Sequence, residues 1–210
     1  AETLFGRRRA ISGEVLFDGT HVSSQADAIA RGMALVPEDR RKFGLVLDHS
    51  VGDNIILPNL RHFTRRLFVQ DAAALRMVSD TIRDLSIKTD GPEKLARLLS
   101  GGNQQKIVIG KWLARAPRLL ILDEPTIGVD IGAKSEIVAT VRAMADKGMA
   151  VLVISSELEE LMAISDRILV LHAGRITQDM NRRDVATEEE LHHAIQGHSH
   201  SPATASLGFA

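Results

Sequence analysis

Length, composition and charge limit the classes of protein to which this chain can belong. It has 210 residues, of which 44% are hydrophobic and 3% aromatic, enough for one sizeable α/β core with or without a smaller subdomain. Its formal net charge is -1 and its basic runs at 7–9 and 40–42 are short, so we interpret both runs as solvated loops and expect no nucleic-acid partner. The absence of cysteine excludes a disulfide framework and a thiol nucleophile. No apolar stretch approaches the roughly 20 residues that span a bilayer, so we expect any membrane role to be peripheral.

The first forty residues predict a helix end, a hairpin and a buried strand. The opening AETLFG is typical of the last turn of a helix, with an apolar pair and a closing glycine but no start signal, which predicts that the chain is truncated. Two β-prone segments flank Asp18-Gly19, a pair that favours a type I′ turn. The predicted elements are a hairpin over 14–22, a helix over 24–31 and a strand over 33–36 that Pro37 ends.

Between 40 and 97 the pattern changes to helices. Apolar residues recur at helical spacing with charged residues between them, which predicts an amphipathic helix whose apolar face is ordinary core packing. That face consists of Leu75, Val78, Ile82 and Leu85, and Asp71 is the expected cap of the helix.

A candidate anion site follows at the start of the next helix. Ser100 is a good N-cap, and Gly101-Gly102 allow backbone N–H groups to approach a ligand closely. Helix starts of this kind bind phosphates, because their unpaired N–H groups and the helix dipole both favour negative charge. The alternative is a glycine-bearing helix entry that holds no ligand.

Two adjacent carboxylates follow a short apolar run. Residues 119–122 lie between Pro117 and Pro125 and are typical of a strand buried on both faces. Asp123 and Glu124 come next, where a parallel strand opens into a crevice. Because adjacent strand residues point to opposite faces, we expect one carboxylate to hold a hydrated Mg²⁺ and the other to act as a base towards water. The alternative is a strand end followed by an acidic turn without a ligand.

Strands and helices alternate again after residue 130, which indicates a mostly parallel sheet. We expect helices over 132–147, 157–164 and 188–195, and strands over 149–154, 167–171 and 175–180. The tail beyond the last helix is expected to be disordered. We interpret the histidines in and before it as solvent-exposed rather than as metal ligands: His192, His193, His198 and His200.

Residues 99–130, taken together, resemble three motifs of an ABC-type ATPase. The LSGGN at the helix start is similar to the LSGGQ signature, with Asn103 in its last place, and 119–123 is similar to a Walker B strand. Glu124 falls at the position of the catalytic glutamate, and Asp130 matches the D-loop aspartate. The wording LSGGNQQK and DEPTIGVDIGAKSEI resembles the C-terminal cassette of the ATP-binding subunits of monosaccharide importers of the ribose, galactose and xylose type, and the resemblance extends from the first residue to about 183.

The resemblance implies an α/β chain with the ABC-type P-loop NTPase fold. The expected architecture is a mostly parallel sheet with flanking helices, a small antiparallel hairpin region and a helical subdomain at about 41–116. No G-x-x-x-x-G-K-[ST] sequence occurs in the 210 residues, so we expect the N-terminal Walker A part to be missing. The expected domains are a partial cassette over 1–183, followed by a short helix and tail over 184–210.

Site roles also follow from the resemblance. The signature residues 100–103 and Asp130 would contact ATP held by a partner cassette, Asp123 would hold Mg²⁺ and Glu124 would act as the base. The sequence departs from the family at two positions. Glu38 stands where a glutamine is usual, although a carboxylate there can still reach the metal, and Ser156 replaces the usual switch histidine.

The cofactors implied are therefore ATP and Mg²⁺, and the partners implied are those of an importer. They are a second nucleotide-binding cassette, transmembrane permease subunits and, indirectly, a periplasmic sugar-binding protein, at the cytoplasmic face of the bacterial inner membrane. Phe43 and Leu45 fall where a permease would dock, although either side chain could instead be buried. Two alternatives remain: a non-catalytic dimerisation or regulatory cassette, and a soluble ABC ATPase that acts on the ribosome or on DNA.

Overall fold

The structure is a computed structural model that describes residues 1–65, 68–69 and 71–196. The chain forms two units, Ala1–Ile154 and Ser155–Ala210. The predicted disordered tail, with His198 and His200, lies outside the described residues, and the predicted boundary near 183 stays a prediction.

The first unit is an α/β unit built from short strands and helices. The strands are β1 Leu16–Phe17, β2 Thr20–His21, β3 Met33–Val36, β4 Thr64–Arg65, β5 Phe68–Val69, β6 Leu119–Asp123 and β7 Ala150–Ile154. The helices are α1 Gln25–Ala30, α2 Val51–Ile56, α3 Leu60–Phe63, α4 Asp71–Asp84, α5 Gly101–Leu113 and α6 Ile131–Ala145, with a single turn of π-helix at Arg40–Gly44 between β3 and α2.

A parallel sheet in the order β3-β6-β7 lies at the centre of this unit. Ala34 of β3 pairs with Leu120 of β6, which in turn pairs with Val151 of β7. The side chains of Leu120, Ile121 and Leu122 are wholly buried, as expected for a strand covered on both faces. The predicted buried strands are confirmed, and the carboxyl end of the central strand carries Asp123.

The predicted hairpin is also confirmed, since β1 and β2 pair antiparallel. Asp18 and Gly19 both have positive φ angles, 51° and 68°, as a type I′ turn requires. A second antiparallel pair, formed by β4 and β5, lies in the segment for which the sequence predicted only helices. The two residues between these strands are Arg66 and Leu67, so no Asn-Gly or Asp-Gly pair signals the turn.

The helix predicted around its four apolar residues forms as α4, but its buried face is rotated from the predicted one. Val78 and Leu85 are buried as expected, whereas Leu75 is 51% exposed and Ala74 takes its place in the core. At about 100° per residue, Ala74 lies closer to the line of Val78 than Leu75 does, so the small residue faces inward. The prediction for Leu75 is therefore wrong, and the helix begins at Asp71 itself rather than after it.

Helix α5 is largely buried and packs against α2 and α4. Gly110 makes a tight contact with the α4 region, where an added Cβ would lie 2.6 Å from Thr81 Cγ2 and 2.7 Å from Leu85 Cδ1. Near the same end, Trp112 meets the buried ring of Phe5 edge to face, with ring centroids 6.3 Å apart. These contacts fix the helix whose first residues form the signature motif.

The second unit contains two helices and an antiparallel hairpin. Its elements are α7 Leu158–Ile164, β8 Arg167–His172, β9 Arg175–Asn181 and α8 Glu188–Gln196, which agree with the predicted elements to within a few residues. Ile168, Val185 and Leu191 form its core, packed against apolar side chains of α7 and β9. In the portion of the chain that is described, no helix has both the length and the apolarity needed to cross a bilayer.

Candidate functional site

The start of α5 forms a polar cluster around the Ser100 hydroxyl. Ser100 caps the helix, and its Oγ accepts hydrogen bonds from the backbone N of Asn103 at 3.4 Å and from the side-chain Nδ2 of Asn103 at 2.9 Å. Asn103 Oδ1 is itself held by the backbone N of Lys88 at 2.8 Å. Because both Asn103 groups donate to Oγ, the Ser100 hydroxyl hydrogen is left to donate to an acceptor outside this pair. The first turn carries no acidic side chain that would oppose an anion.

The two signature glycines lie where α5 meets the loop after β6 and the start of α6. A Cβ on Gly102 would lie 2.4 Å from the Cβ of Ala133, and a Cβ on Gly101 would lie 2.7 Å from the carbonyl oxygen of Gly128. Any side chain at either position would therefore force the two segments apart. The sequence analysis explained these two glycines only by the close approach of a ligand. It did not predict that they also allow α5 to pack against the neighbouring segments.

The loop from the end of β6 to the start of α6 is fixed at both ends. At its start, Glu124 adopts a left-handed backbone with φ 48°, and its N–H donates to the carbonyl of Ile154 on the neighbouring strand at 2.8 Å. At its far end, Asp130 caps α6, and its Oδ1 accepts from the backbone N of Ala133 at 2.9 Å. The left-handed conformation is uncommon for a residue other than glycine and recurs at functional sites.

A cavity of about 450 Å³ opens beside the end of the central strand. Asp123, Glu38 and Glu2 line it together with Arg7 and Arg8, and both arginines pair with Glu2, at 3.3 and 2.5 Å. The predicted partners Asp123 and Glu38 therefore border one space.

Burial raises the pKa of Asp123, and nearby carboxylates raise it further against the opposing charge of the chain's amino terminus. A partly buried carboxylate of this kind is stabilised in its charged form by a cation. Its oxygen donors, with those of Glu38, fit Mg²⁺, which commonly takes one or two carboxylates and completes its shell with phosphate and water oxygens. The described residues contain no cluster of three or more such ligands that would hold an ion without that help.

The remaining predicted residues are Ser156 and the two docking candidates, Phe43 and Leu45. Ser156 is an exposed residue of the second unit, whereas the other predicted site residues all belong to the first. Of the two docking candidates, Leu45 is buried and Phe43 is 49% exposed, with the guanidinium of Arg7 4.4 Å above its ring and the ammonium of Lys42 5.2 Å from it.

Arg40 is a site residue that the sequence interpretation missed. Its Nη1 donates to the carbonyl of Ile127 at 2.8 Å and its Nη2 donates to the carbonyl of Gly128 at 3.0 Å. The interpretation of the 40–42 run as a solvated loop is wrong for this residue, because its guanidinium is partly buried and holds another loop. The acceptors are backbone carbonyls almost ninety residues away, which leave no trace in the sequence.

A parallel sheet with a Ser-Gly-Gly helix start and an Asp-Glu pair at the end of its central strand defines the class of ATP-binding cassettes. Two solved cassettes have this fold. One is the dimeric ATP-binding cassette MJ0796 in a post-hydrolysis state with ADP and Pi, with a TM-score of 0.73 and 19% identity, covering 87% of this chain and 78% of that one. The other is cbiO1 from Clostridium perfringens, part of the ABC transporter complex cbiONQ, with a TM-score of 0.72 and 21% identity, covering 90% of this chain and 74% of that one.

The chain belongs to the ABC transporter family, whose model matches residues 1–127. It is 41% identical over 201 residues to the ribose import ATP-binding protein RbsA of Halalkalibacterium halodurans and 43% identical over 190 residues to that of Bacillus subtilis. It is also 44% identical over 200 residues to a putative ribose/galactose/methyl galactoside import ATP-binding protein of Pseudomonas savastanoi. These alignments cover 90–95% of this chain, which spans about 40% of the length of the relatives (38–40%). The predicted family and fold class are confirmed.

Proposed function

We propose that this chain is part of an ATP-hydrolysing cassette of a monosaccharide importer, and that it donates its signature motif to an ATP site shared with a second cassette. The observation that carries the proposal is the packing of the signature glycines on the loop that ends in Asp130. Gly102 and Ala133 approach so closely that the start of α5 and the start of α6 form one surface. The names of the relatives, which are ribose and galactoside import proteins, support monosaccharides as the cargo.

In this proposal the start of α5 binds phosphate oxygens of ATP that the second cassette holds. The Ser100 hydroxyl and the backbone N–H groups of residues 101–102 are the donors, and Asn103 orients that hydroxyl through its Nδ2. The helix dipole adds roughly 0.3–1 kcal/mol, so it assists the donors rather than replacing them. Asp130 lies at the start of α6 beside these donors and would face the same partner.

The cavity beside β6 would hold this chain's own share of the metal and the base. Asp123, with Glu38 as a possible second ligand, would coordinate Mg²⁺, which when bound neutralises phosphate charge. Glu124 would accept the proton of an attacking water, a role that contributes roughly 10²–10⁴ in rate. The left-handed backbone of Glu124 supports a functional reason for that position.

The proposed partners are a second cassette, the transmembrane permease subunits and, through them, a periplasmic sugar-binding protein. The chain would then lie at the cytoplasmic face of the inner membrane as a peripheral subunit. The half-exposed ring of Phe43 is the proposed contact with the permease. A nucleic-acid partner is not part of the proposal.

The test compares two variants in the assembled transporter. Ser100→Arg places a bulky cation at the shared phosphate site and should abolish ATP turnover, whereas Glu124→Gln should lower it by less than the roughly 10²–10⁴ expected of a sole general base. Ser79→Arg on the exposed face of α4 is the matched control and should leave turnover unchanged. Full turnover in Ser100→Arg would refute the signature role, and a collapse with Glu124→Gln would show that this chain's own base carries the reaction.

A second candidate is a non-catalytic dimerisation cassette. It is favoured by Glu38 and Ser156, which stand at positions where the family resemblance expects glutamine and histidine. In that case Glu124→Gln would leave turnover at the wild-type level while Ser100→Arg still abolished it.

A further inference from the structure

Arg40 joins three segments that are far apart in the sequence. It follows β3 by four residues and stands two residues after Glu38. Its two terminal nitrogens donate to the successive carbonyls of Ile127 and Gly128, at 2.8 and 3.0 Å, in the loop after β6. A Cβ on Gly101 at the start of α5 would lie 2.7 Å from Arg40 Nη2, so the signature glycine packs directly against the guanidinium.

The geometry of this contact is specific to arginine. The planar guanidinium presents parallel N–H groups, which match two adjacent carbonyls as a single ammonium does not. Both carbonyls lie in the middle of the loop, where the backbone also makes turn hydrogen bonds from Ile127 N to Glu124 O and from Val129 N to Thr126 O. Those bonds join residues of the loop to one another. Arg40 adds a tie from the middle of the loop to a different segment of the chain.

The position is also demanding for a charged side chain. Burial lowers the pKa of Arg40, and its Nε is buried without a hydrogen-bond partner among the residues that the structure describes. An arginine kept partly desolvated in this way needs a compensating role, because a solvated position would be more favourable for it.

We propose that Arg40 is a positioning residue, which clamps the loop after β6 against the start of α5 and so sets the position of Asp130 relative to Ser100. Glu38 lies on the same short segment as Arg40, so the clamp also ties the segment that borders the metal cavity to the signature surface. The kinetic consequence rests on the proposed function, whereas the structural consequence does not.

The structural arm of the test is amide hydrogen exchange on the 210-residue chain. In Arg40→Ala, the amides of residues 127–130 should exchange at least roughly tenfold faster than in the wild type, since two charge-assisted hydrogen bonds are lost. Arg40→Lys, which keeps the charge but not the two-pronged geometry, should show a smaller increase, and it decides the test if the alanine variant does not fold. Lys42→Ala, which removes an exposed cation from the same segment, should leave these amides unchanged. Unchanged exchange in 127–130 of both Arg40 variants, or an increase spread evenly over the first unit, would overturn the proposal.

The kinetic arm uses the same variants in the assembled transporter. Arg40→Ala should lower kcat for ATP roughly tenfold or more while leaving KM within about twofold, because a misplaced loop impairs the reaction without removing a nucleotide contact. Arg40→Lys should recover part of kcat. A loss confined to KM, or no loss, would overturn the positioning role. If the wild-type assembly itself hydrolyses no ATP, the proposed function fails, and the exchange experiment still decides the role of Arg40.

Discussion

The stability of the first unit should depend on the protonation of one partly buried lysine, Lys111. Lys111 lies on α5, and its ammonium donates to the carbonyl of Gly44 at the end of the π-helix turn. Burial lowers the pKa of Lys111 from an ordinary 10.5 to about 8. The charged form is therefore less stable inside the folded unit than in water.

The sign and size of the effect follow from this difference. Between about pH 8 and 10.5 the unfolded chain keeps the proton that folded Lys111 has released, so the free energy of unfolding should rise with pH over that range. At about 1.36 kcal/mol for each pKa unit, the full rise is on the order of 3 kcal/mol. Lys111→Met fills a similar volume without a titrating group and should remove the rise.

Urea unfolding at pH 7.5 and at pH 10.5 measures this rise in the free energy of unfolding. Trp112, the only tryptophan in the chain, is buried beside Lys111 on α5 and reports the transition by its fluorescence. The chain contains no tyrosine or cysteine, so no other side-chain type than lysine has its ordinary pKa in that interval. Lys147→Met, at an exposed position, is the control that should keep the rise. If wild type and Lys111→Met respond identically to pH, the reasoning about burial is refuted.

Three further predictions concern packing, charge and a buried amide. Gly110→Ala should destabilise the first unit by about 1–2 kcal/mol in urea unfolding, because the new Cβ would lie 2.6 Å from Thr81 of α4. The control Gly132→Ala should be neutral or stabilising, because the nearest atom to its new Cβ is 3.5 Å away. Equal effects of the two substitutions would contradict the packing account. Burial raises the pKa of Asp123, so its charged form destabilises the fold. Asp123→Asn should therefore raise the urea midpoint at pH 7 and lose that advantage below about pH 4, where the aspartate is protonated in both states. A gain that persists below about pH 4 would refute this reasoning. Asn54 is 2% exposed and makes three backbone hydrogen bonds at 2.8–3.0 Å, so Asn54→Leu should lower the free energy of unfolding in urea by about 2–3 kcal/mol, and a neutral substitution would contradict its structural role.

Most of the fold could be predicted because its elements follow local rules. The strands at 33–36 and 119–122 are uninterrupted apolar runs, and Asp18-Gly19 specifies its turn without help from the rest of the chain. The face of α4 was predicted with Leu75 where Ala74 is buried, although the spacing of about 100° per residue places Ala74 closer to the line of Val78. The β4–β5 pair also escaped prediction, since no turn residue signals it.

The candidate site also contains features that the sequence predicts and features that only the folded chain shows. Ser100 and the Asp123-Glu124 pair were predicted as candidates because a helix cap and a strand end are local features. The clamp by Arg40 was not, because its partners are backbone carbonyls that any sequence would supply. The packing reason for Gly102 likewise depends on Ala133, which only the folded chain brings beside it.

The central claim is that this chain completes an ATP site together with a second cassette. Binding of a fluorescent ATP analogue with Mg²⁺ tests it most directly, measured on the 210-residue chain alone and after addition of a cassette that carries its own phosphate-binding loop. We expect binding to tighten when both are present, and Ser100→Arg to remove that gain while Ser79→Arg does not. Tight binding by the chain alone, unaffected by the second cassette or by Ser100→Arg, would contradict the account.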